Sequence, residues 1–227
     1  MIDQYLNKIH NVDCLEFMKE LPDKCIDLVL TDIPYNISKK SNGLRKLDYG
    51  EWDKQYGKEL EWIASLARIT KGSIIVFCGK KQFSGLINYL DDNDFSTRTI
   101  IWHKPNPTVL NCDKLYIEST ELAVYGKRAK ATFNPDYKHN LFEKSAPTER
   151  EHPTQKPEKL FIELVLDCSQ PNSIIFDGFI GSGTTAIACL KTGRKFIGCE
   201  ISKKYCDIAN KRIDDFLAQQ DLFREAQ

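Results

Sequence analysis

Two short stretches carry side chains able to do chemistry. The first is TDIPYNI, residues 31–37, in which Asp32 closes an apolar run and is followed by Ile33, Pro34 and Tyr35. A carboxylate accepts hydrogen bonds from an amine, and an aromatic ring offers a face for stacking. The residue before a proline is held extended, which fixes the direction of its carbonyl. The second stretch is FDGFIGSGTTAIAC, residues 176–189. Gly181 and Gly183 permit a sharp turn and let a ligand approach the backbone closely. Ser182, Thr184 and Thr185 stand where helix-capping hydroxyls belong. Glu200 ends the next apolar run, nineteen residues after Gly181, the spacing at which an acid grips ribose hydroxyls. Asp177 sits inside the turn and would repel a pyrophosphate, as like charges do at short range. The loop therefore departs from a dinucleotide site and suits a ligand that is cationic or carries an amine. S-adenosylmethionine (AdoMet) offers a ribose, a sulfonium and an amino-acid tail.

The elements that must position these residues alternate in type. Short apolar runs predict strands at KIHNVD, CIDLVLTD, GSIIVFCG, TRTIIWHK, TELAVYGK, NSIIFD and RKFIGCE. Helical patterns fall at CLEFMKEL, about 59–69, 81–91, EKLFIELVLDCS, TTAIACLKT and about 202–220, with Gly193 stopping the fifth. Strand–helix alternation of this kind implies an α/β fold with a Rossmann-like, mostly parallel sheet, and TELAVYGK lies near enough to TRTIIWHK to form an antiparallel edge hairpin. Residues 36–58 and 128–151 read as polar loops. The 227 residues fit a single domain spanning 1–227, with no separate recognition domain.

Bulk properties narrow the classes. Lys plus Arg and Asp plus Glu each number 32, so the net charge is zero and any polyanion-binding surface must be local. No apolar run reaches the roughly 18 residues a membrane span needs. The start MIDQYLNKIHNVD has neither the cationic nor the apolar segment of a secretory signal, so a cytoplasmic location without membrane association is expected. The cysteines at 14, 25, 78, 112, 168, 189, 199 and 206 follow no metal or disulfide spacing. They are expected to be reduced, and no metal site is expected.

DIPY at 32–35, followed late in the chain by FIGSGTT at 179–185, resembles the DNA amino-methyltransferases, whose marks are an (Asp/Asn/Ser)-Pro-Pro-(Tyr/Phe) tetrapeptide and an F-x-G-x-G cofactor loop. The order, tetrapeptide first, is that of the β class. HPTQKP at 152–157 and WHKPNP at 102–107 are similar to two further family segments, and the resemblance covers nearly the whole chain. It implies a circularly permuted methyltransferase fold in which NSIIFD, RKFIGCE, KIHNVD and CIDLVLTD are the first to fourth strands. Ligands then sit where strand order reverses, between the first and fourth, so Gly181 and Asp32 become neighbours.

The resemblance further implies AdoMet-dependent methylation of a base flipped out of DNA. Asp32, the Ile33 carbonyl, Pro34 and Tyr35 would form the catalytic pocket, and Asp in first place favours adenine N6. A cytosine-N4 enzyme, an RNA amino-methyltransferase and a non-catalytic AdoMet- or DNA-binding subunit stay open as alternatives. Cofactor contacts are implied at Asp13 and Cys14, Thr154, Lys156 toward the cofactor carboxylate, Asp177, Phe179, Gly181, Ser182, Gly183, Thr184, Thr185 and Glu200. Asp13 reads equally well as the N-cap of CLEFMKEL. The loops at about 36–58 and 104–151, with Lys39, Lys40, Arg45, Lys46, Lys104, Asn106, Arg128 and Lys130, are expected to track phosphates on double-stranded DNA. A homodimer and a cognate restriction endonuclease are further candidate partners. Two departures stand out: Ile33 replaces the usual first proline and gains an N–H, and Gly178 replaces the usual proline after Asp177.

Overall fold

A computed structural model describes residues 2–35, 57–107, 115–148 and 154–225. Eight strands form one sheet in the order β1-β8-β7-β2-β3-β5-β4-β6. In chain order they are β1 (Lys8–His10), β2 (Ile26–Asp32), β3 (Thr70–Cys78), β4 (Ser96–His103), β5 (Thr120–Lys127), β6 (Leu141–Glu143), β7 (Ile174–Asp177) and β8 (Lys195–Cys199). The helices are α1 (Cys14–Glu20), α2 (Glu59–Ile69), α3 (Lys80–Asp91), α4 (Glu158–Cys168), α5 (Thr184–Lys191) and α6 (Lys203–Glu225).

Strands β7, β8, β1 and β2 occupy the places expected of the first to fourth strands. β7 pairs in parallel with both β8 and β2, and β1 pairs in parallel with β8. The switch point thus falls between β7 and β2, with Asp177 and Asp32 at the two strand ends. β5 runs antiparallel to both β3 and β4, giving the expected hairpin. One element was not foreseen within the loop 128–151. The three residues of β6 pair in parallel with β4 at Ile101, Trp102 and His103 and cover the outer edge of the hairpin.

Both faces of the sheet are covered, which is why β2 and β3 read as unbroken apolar runs. Alternate residues of β3 divide between the two faces. Ile74, Val76 and Cys78 pack with α1, α2 and α3 around Trp62, Leu66 and Leu86. Ile75 and Phe77 pack with α4 and α5 around Phe161, Leu164 and Ile187. The described cysteines are free, while Cys112 lies outside the described residues. No described helix is long and apolar enough to cross a membrane.

Candidate active site

The C-terminal ends of β7, β8, β1 and β2 open into a cleft of about 1000 Å³, counting its open mouth. Its walls include Asp13 and Cys14, all four residues of the tetrapeptide 32–35, Thr154 and Lys156, and Asp177, Phe179, Gly181, Ser182, Thr184, Thr185 and Glu200. The distant stretches therefore meet in one crevice, as the permuted strand order requires. Val12, Ile201, Ile180 and Phe161 also line it. They were not anticipated; Val12 and Ile201 adjoin Asp13 and Glu200, and an apolar neighbour of a hydroxyl-binding acid was the available signal. Gly183 is the one expected cofactor residue outside this lining. It serves the framework, as the left-handed N-cap of α5 (φ 85°), where an added Cβ would lie 3.1 Å from the Ala209 Cβ.

The glycine loop is held by two buried acids. Asp177 accepts hydrogen bonds from the Thr31 hydroxyl (2.5 Å), the Thr185 hydroxyl (2.5 Å) and the Phe179 amide (3.0 Å). It thereby fastens β2, the turn and α5 to the end of β7. Burial outweighs these three bonds and pushes its carboxyl up to about 6. Glu200 accepts from the Gly181 amide (3.0 Å) and the Ser202 amide (2.8 Å), one on each oxygen. Burial raises it as well. Each Glu200 oxygen keeps acceptor capacity for a ligand hydroxyl. Ser182 turns toward α6, where Arg212 donates to its carbonyl and hydroxyl. Asp13 caps α1 through the Leu15 and Glu16 amides while lining the cleft, so its two readings coexist.

A raised carboxyl binds protons more tightly folded than unfolded. The stability tied to Asp177 is therefore fully present below its unfolded value of 3.8 and is lost as pH rises through about 6. Between pH 4 and pH 7 wild type is expected to lose about 2.4 kcal/mol of stability relative to Asp177→Asn, at 1.36 kcal/mol per unit. Urea unfolding at constant ionic strength measures it. A difference independent of pH would mean that Asp177 does not titrate in this range.

The tetrapeptide is held by hydrogen bonds that make its departure at Ile33 intelligible. The extra amide of Ile33 donates to the Phe77 carbonyl at 3.2 Å, so it has a partner, and the Ile33 side chain is buried. The Pro34 carbonyl accepts from Gln82 Nε2 at 2.8 Å. Gln82, in the first turn of α3, was missed because nothing in a helix start marks a side chain that reaches back across the sheet. At Gly178, a Cβ would stand 3.2 Å from the Cys14 Cβ. Glycine there lets α1 pack close to the cofactor turn.

Four charged side chains and a phenol surround the tetrapeptide. Lys156 Nζ lies 2.5 Å from Asp32 Oδ2, 3.0 Å from Glu121 Oε2 and 3.3 Å from the Tyr35 hydroxyl. The Tyr35 hydroxyl donates to Glu121 Oε2 at 3.0 Å, and Lys104 donates to Glu121 Oε1 at 3.1 Å. Lys156, expected at the cofactor carboxylate, lines the cleft and is paired with Asp32, with its side chain only 5% exposed. Burial alone would lower Lys156 and raise Glu121. The facing charges prevail: Asp32 and Glu121 hold Lys156 above its ordinary value, and Lys156 with Lys104 hold Glu121 at about 2. Burial lifts Asp32, against the pull of Lys156. The second Asp32 oxygen, Oδ1, is buried with no hydrogen-bond partner among the described residues.

Of the expected phosphate-tracking residues, Lys104, Asn106, Arg128 and Lys130 are among the described residues. Lys39, Lys40, Arg45 and Lys46 lie outside the described residues. Lys104 is taken up by Glu121, and the Asn106 amide closes two hydrogen bonds with the Ala146 backbone, at 3.0 and 2.8 Å. Arg128 donates to the Thr70 and Ala67 carbonyls and covers the Phe95 ring. Because β5 runs antiparallel, Arg128 and the exposed Lys130 emerge at the end of the sheet away from the cleft. They are roughly 20 Å along the strand from Glu121, at about 3.4 Å per residue.

Comparison with known proteins agrees with this arrangement. Residues 26–211 match the family model described as DNA methylase. The Type II methyltransferase M.HinfI of Haemophilus influenzae is 33% identical over 93% of this chain and 69% of its own length. The Type II methyltransferase M2.DpnII of Streptococcus pneumoniae is 27% identical over 94% of this chain and 93% of its own. Among solved structures, the M1.HpyAVI–SAM complex superposes with a TM-score of 0.71 at 32% identity, covering 90% of this chain and 98% of that one. The match covers most of the sheet and both ends of the crevice, and the chain belongs to the DNA methylase family.

Proposed function

We propose that the protein transfers a methyl group from AdoMet to the N6 amino group of an adenine extruded from duplex DNA. The observation that carries this reading is the buried Asp32 Oδ1 in the cleft wall, which has no hydrogen-bond partner among the described residues. A buried acceptor left without a donor costs about 1–3 kcal/mol, which an incoming amine would relieve. The cleft suits AdoMet: Glu200 and Asp13 offer carboxylates for hydroxyls, Val12, Ile201 and Phe179 offer apolar walls, and the cation in the described lining, Lys156, is paired with Asp32. When bound, the cofactor supplies an electrophilic methyl group.

The protein's own residues do the rest. Asp32 Oδ1 and the Ile33 carbonyl accept the two amine hydrogens, which turns the nitrogen lone pair out of the ring plane. Tyr35 stacks on the base, returning about 1–3 kcal/mol against the few kcal/mol of extrusion. Bound AdoMet would give up its methyl to the amine and leave as the neutral thioether, and the proton shed by the amine would pass to Asp32, whose carboxyl burial has lifted. Positioning supplies most of the acceleration.

The whole chain would act as one methyltransferase unit, with the segments 36–58 and 104–151 against DNA. The internal engagement of Lys104, Asn106 and Arg128 favours a second subunit completing the grip, and the Type II designation of the relatives is the ground for a cognate nuclease. The test is incubation with labelled AdoMet and varied duplexes, followed by digestion and mass analysis of the nucleosides. N6-methyladenine is expected. Methylcytosine alone, methylation of RNA alone, or no transfer would overturn the reading.

Glu200→Gln should weaken AdoMet binding by about tenfold, the loss of one charged acceptor at roughly 1.5 kcal/mol, with the folded state kept. Calorimetric titration checks it, and unchanged affinity would remove Glu200 from the cofactor site.

A further inference from the structure

We propose that Glu121 is a positioning residue of the transfer reaction, holding Lys156 off Asp32 and fixing the Tyr35 hydroxyl while the base is engaged. The inference rests on the assignment of Asp32 and Tyr35 to the base pocket. Glu121 belongs to none of the sequence stretches that mark the family. It enters from β5, opposite Trp102 of β4, and its carboxylate touches three functional neighbours at once: Lys156 Nζ at 3.0 Å, the Tyr35 hydroxyl at 3.0 Å and Lys104 Nζ at 3.1 Å.

The geometry poses a problem that Glu121 resolves. An ammonium at 2.5 Å from Asp32 Oδ2 satisfies that oxygen but draws electron density from the carboxylate that must accept the substrate amine. Lys156 cannot leave for solvent, because its side chain is 5% exposed and an unpaired buried ammonium is costly. With Glu121 alongside, the ammonium has a second anion within one hydrogen-bond length and can move toward it as Asp32 turns to the amine. The buried charges of Asp32, Glu121, Lys156 and Lys104 sum to zero, so this exchange creates no unbalanced charge. The same Glu121 oxygen accepts from the Tyr35 hydroxyl, which fixes the azimuth of the ring on which the base stacks.

Without the Glu121 carboxylate, Lys156 would settle wholly on Asp32, and Tyr35 would lose its acceptor. Base and cofactor would still bind, but the amine would meet a neutralised acid. The expected signature is a loss in turnover without a matching loss in binding.

The test is Glu121→Gln in the full-length protein, with wild type run in parallel in the nucleoside assay. Failure of wild type to methylate adenine would overturn the proposed function itself. With wild type active, kcat of Glu121→Gln is expected to fall at least tenfold, KM for AdoMet and for DNA to stay within about threefold, and Glu121→Asp to recover part of the loss. The double variant Glu121→Gln/Tyr35→Phe should lose less than the product of the two single losses, because both remove one hydrogen bond. A kcat within twofold of wild type, or a fall matched by equal losses in AdoMet affinity and thermal midpoint, would overturn the positioning role.

Discussion

Asp32→Ala is expected to lower kcat by at least three orders of magnitude while AdoMet affinity stays within about threefold. The hydrogen bond from the amine to a charged acceptor is worth roughly 1.5–3 kcal/mol, or about 10- to 150-fold. Loss of the proton acceptor adds a further factor, since general base groups contribute about 10²–10⁴-fold. The fold should tolerate the change. Lys156 keeps Glu121 at 3.0 Å, so the deletion does not strand a buried ammonium, and Asp32 meets the loop that holds the cofactor only across the cleft. Single-turnover methylation and calorimetric titration separate the two effects. Retained turnover would mean that another group accepts the amine, and a parallel loss of cofactor affinity would mean that Asp32 belongs to the cofactor site.

The second large effect is structural. Gly183→Val should lower stability by about 3–5 kcal/mol and abolish cofactor binding. Gly183 has φ 85°, where an L-residue pays about 1–2 kcal/mol and a β-branched one more. Its Cβ would also press on Ala209 at 3.1 Å from Cβ and 3.4 Å from Cα. That contact is between packed helices with no flexible side chain to yield, and overpacking adds about 1–3 kcal/mol. For a chain of this length the thermal midpoint should fall by about 10 °C, at 2–4 °C per kcal/mol. Because α5 would have to shift away from α6, the turn at Gly181 and Ser182 would move with it. Differential scanning fluorimetry with and without AdoMet reads both effects. A midpoint within 2 °C of wild type, with the usual cofactor-induced rise, would show that the turn adapts.

Much of this was legible in sequence because the informative residues sit at strand ends. Asp32, Asp177 and Glu200 each close an apolar run, and in a parallel sheet all such ends point the same way, so three acids far apart in the chain converge. The permuted strand order followed from the order of the motifs and matches the sheet. Other features depend on tertiary pairing that local pattern does not encode. β6 is three residues long and exists only through its pairing with β4. Glu121 lies in TELAVYGK, where a polar residue at a strand start looks like an exposed edge position. Its function depends on β5 running antiparallel, which brings its first residues rather than its last to the cleft. The same reversal carries Arg128 and Lys130 to the far end of the sheet. The resemblance placed Lys156 in the cleft, and its pairing with Asp32 and Glu121 there depends on tertiary contacts.

The central claim, that donor and acceptor meet between β7 and β2, is tested most directly by a crystal structure with the non-reactive AdoMet analogue sinefungin and a target duplex. The predicted result has the ribose on Glu200 and the amine that replaces the sulfonium methyl directed at an extrahelical adenine. The N6 of that adenine should lie within hydrogen-bond distance of Asp32 Oδ1. An analogue seated elsewhere, or in the cleft with its amine directed away from Asp32, would contradict the account.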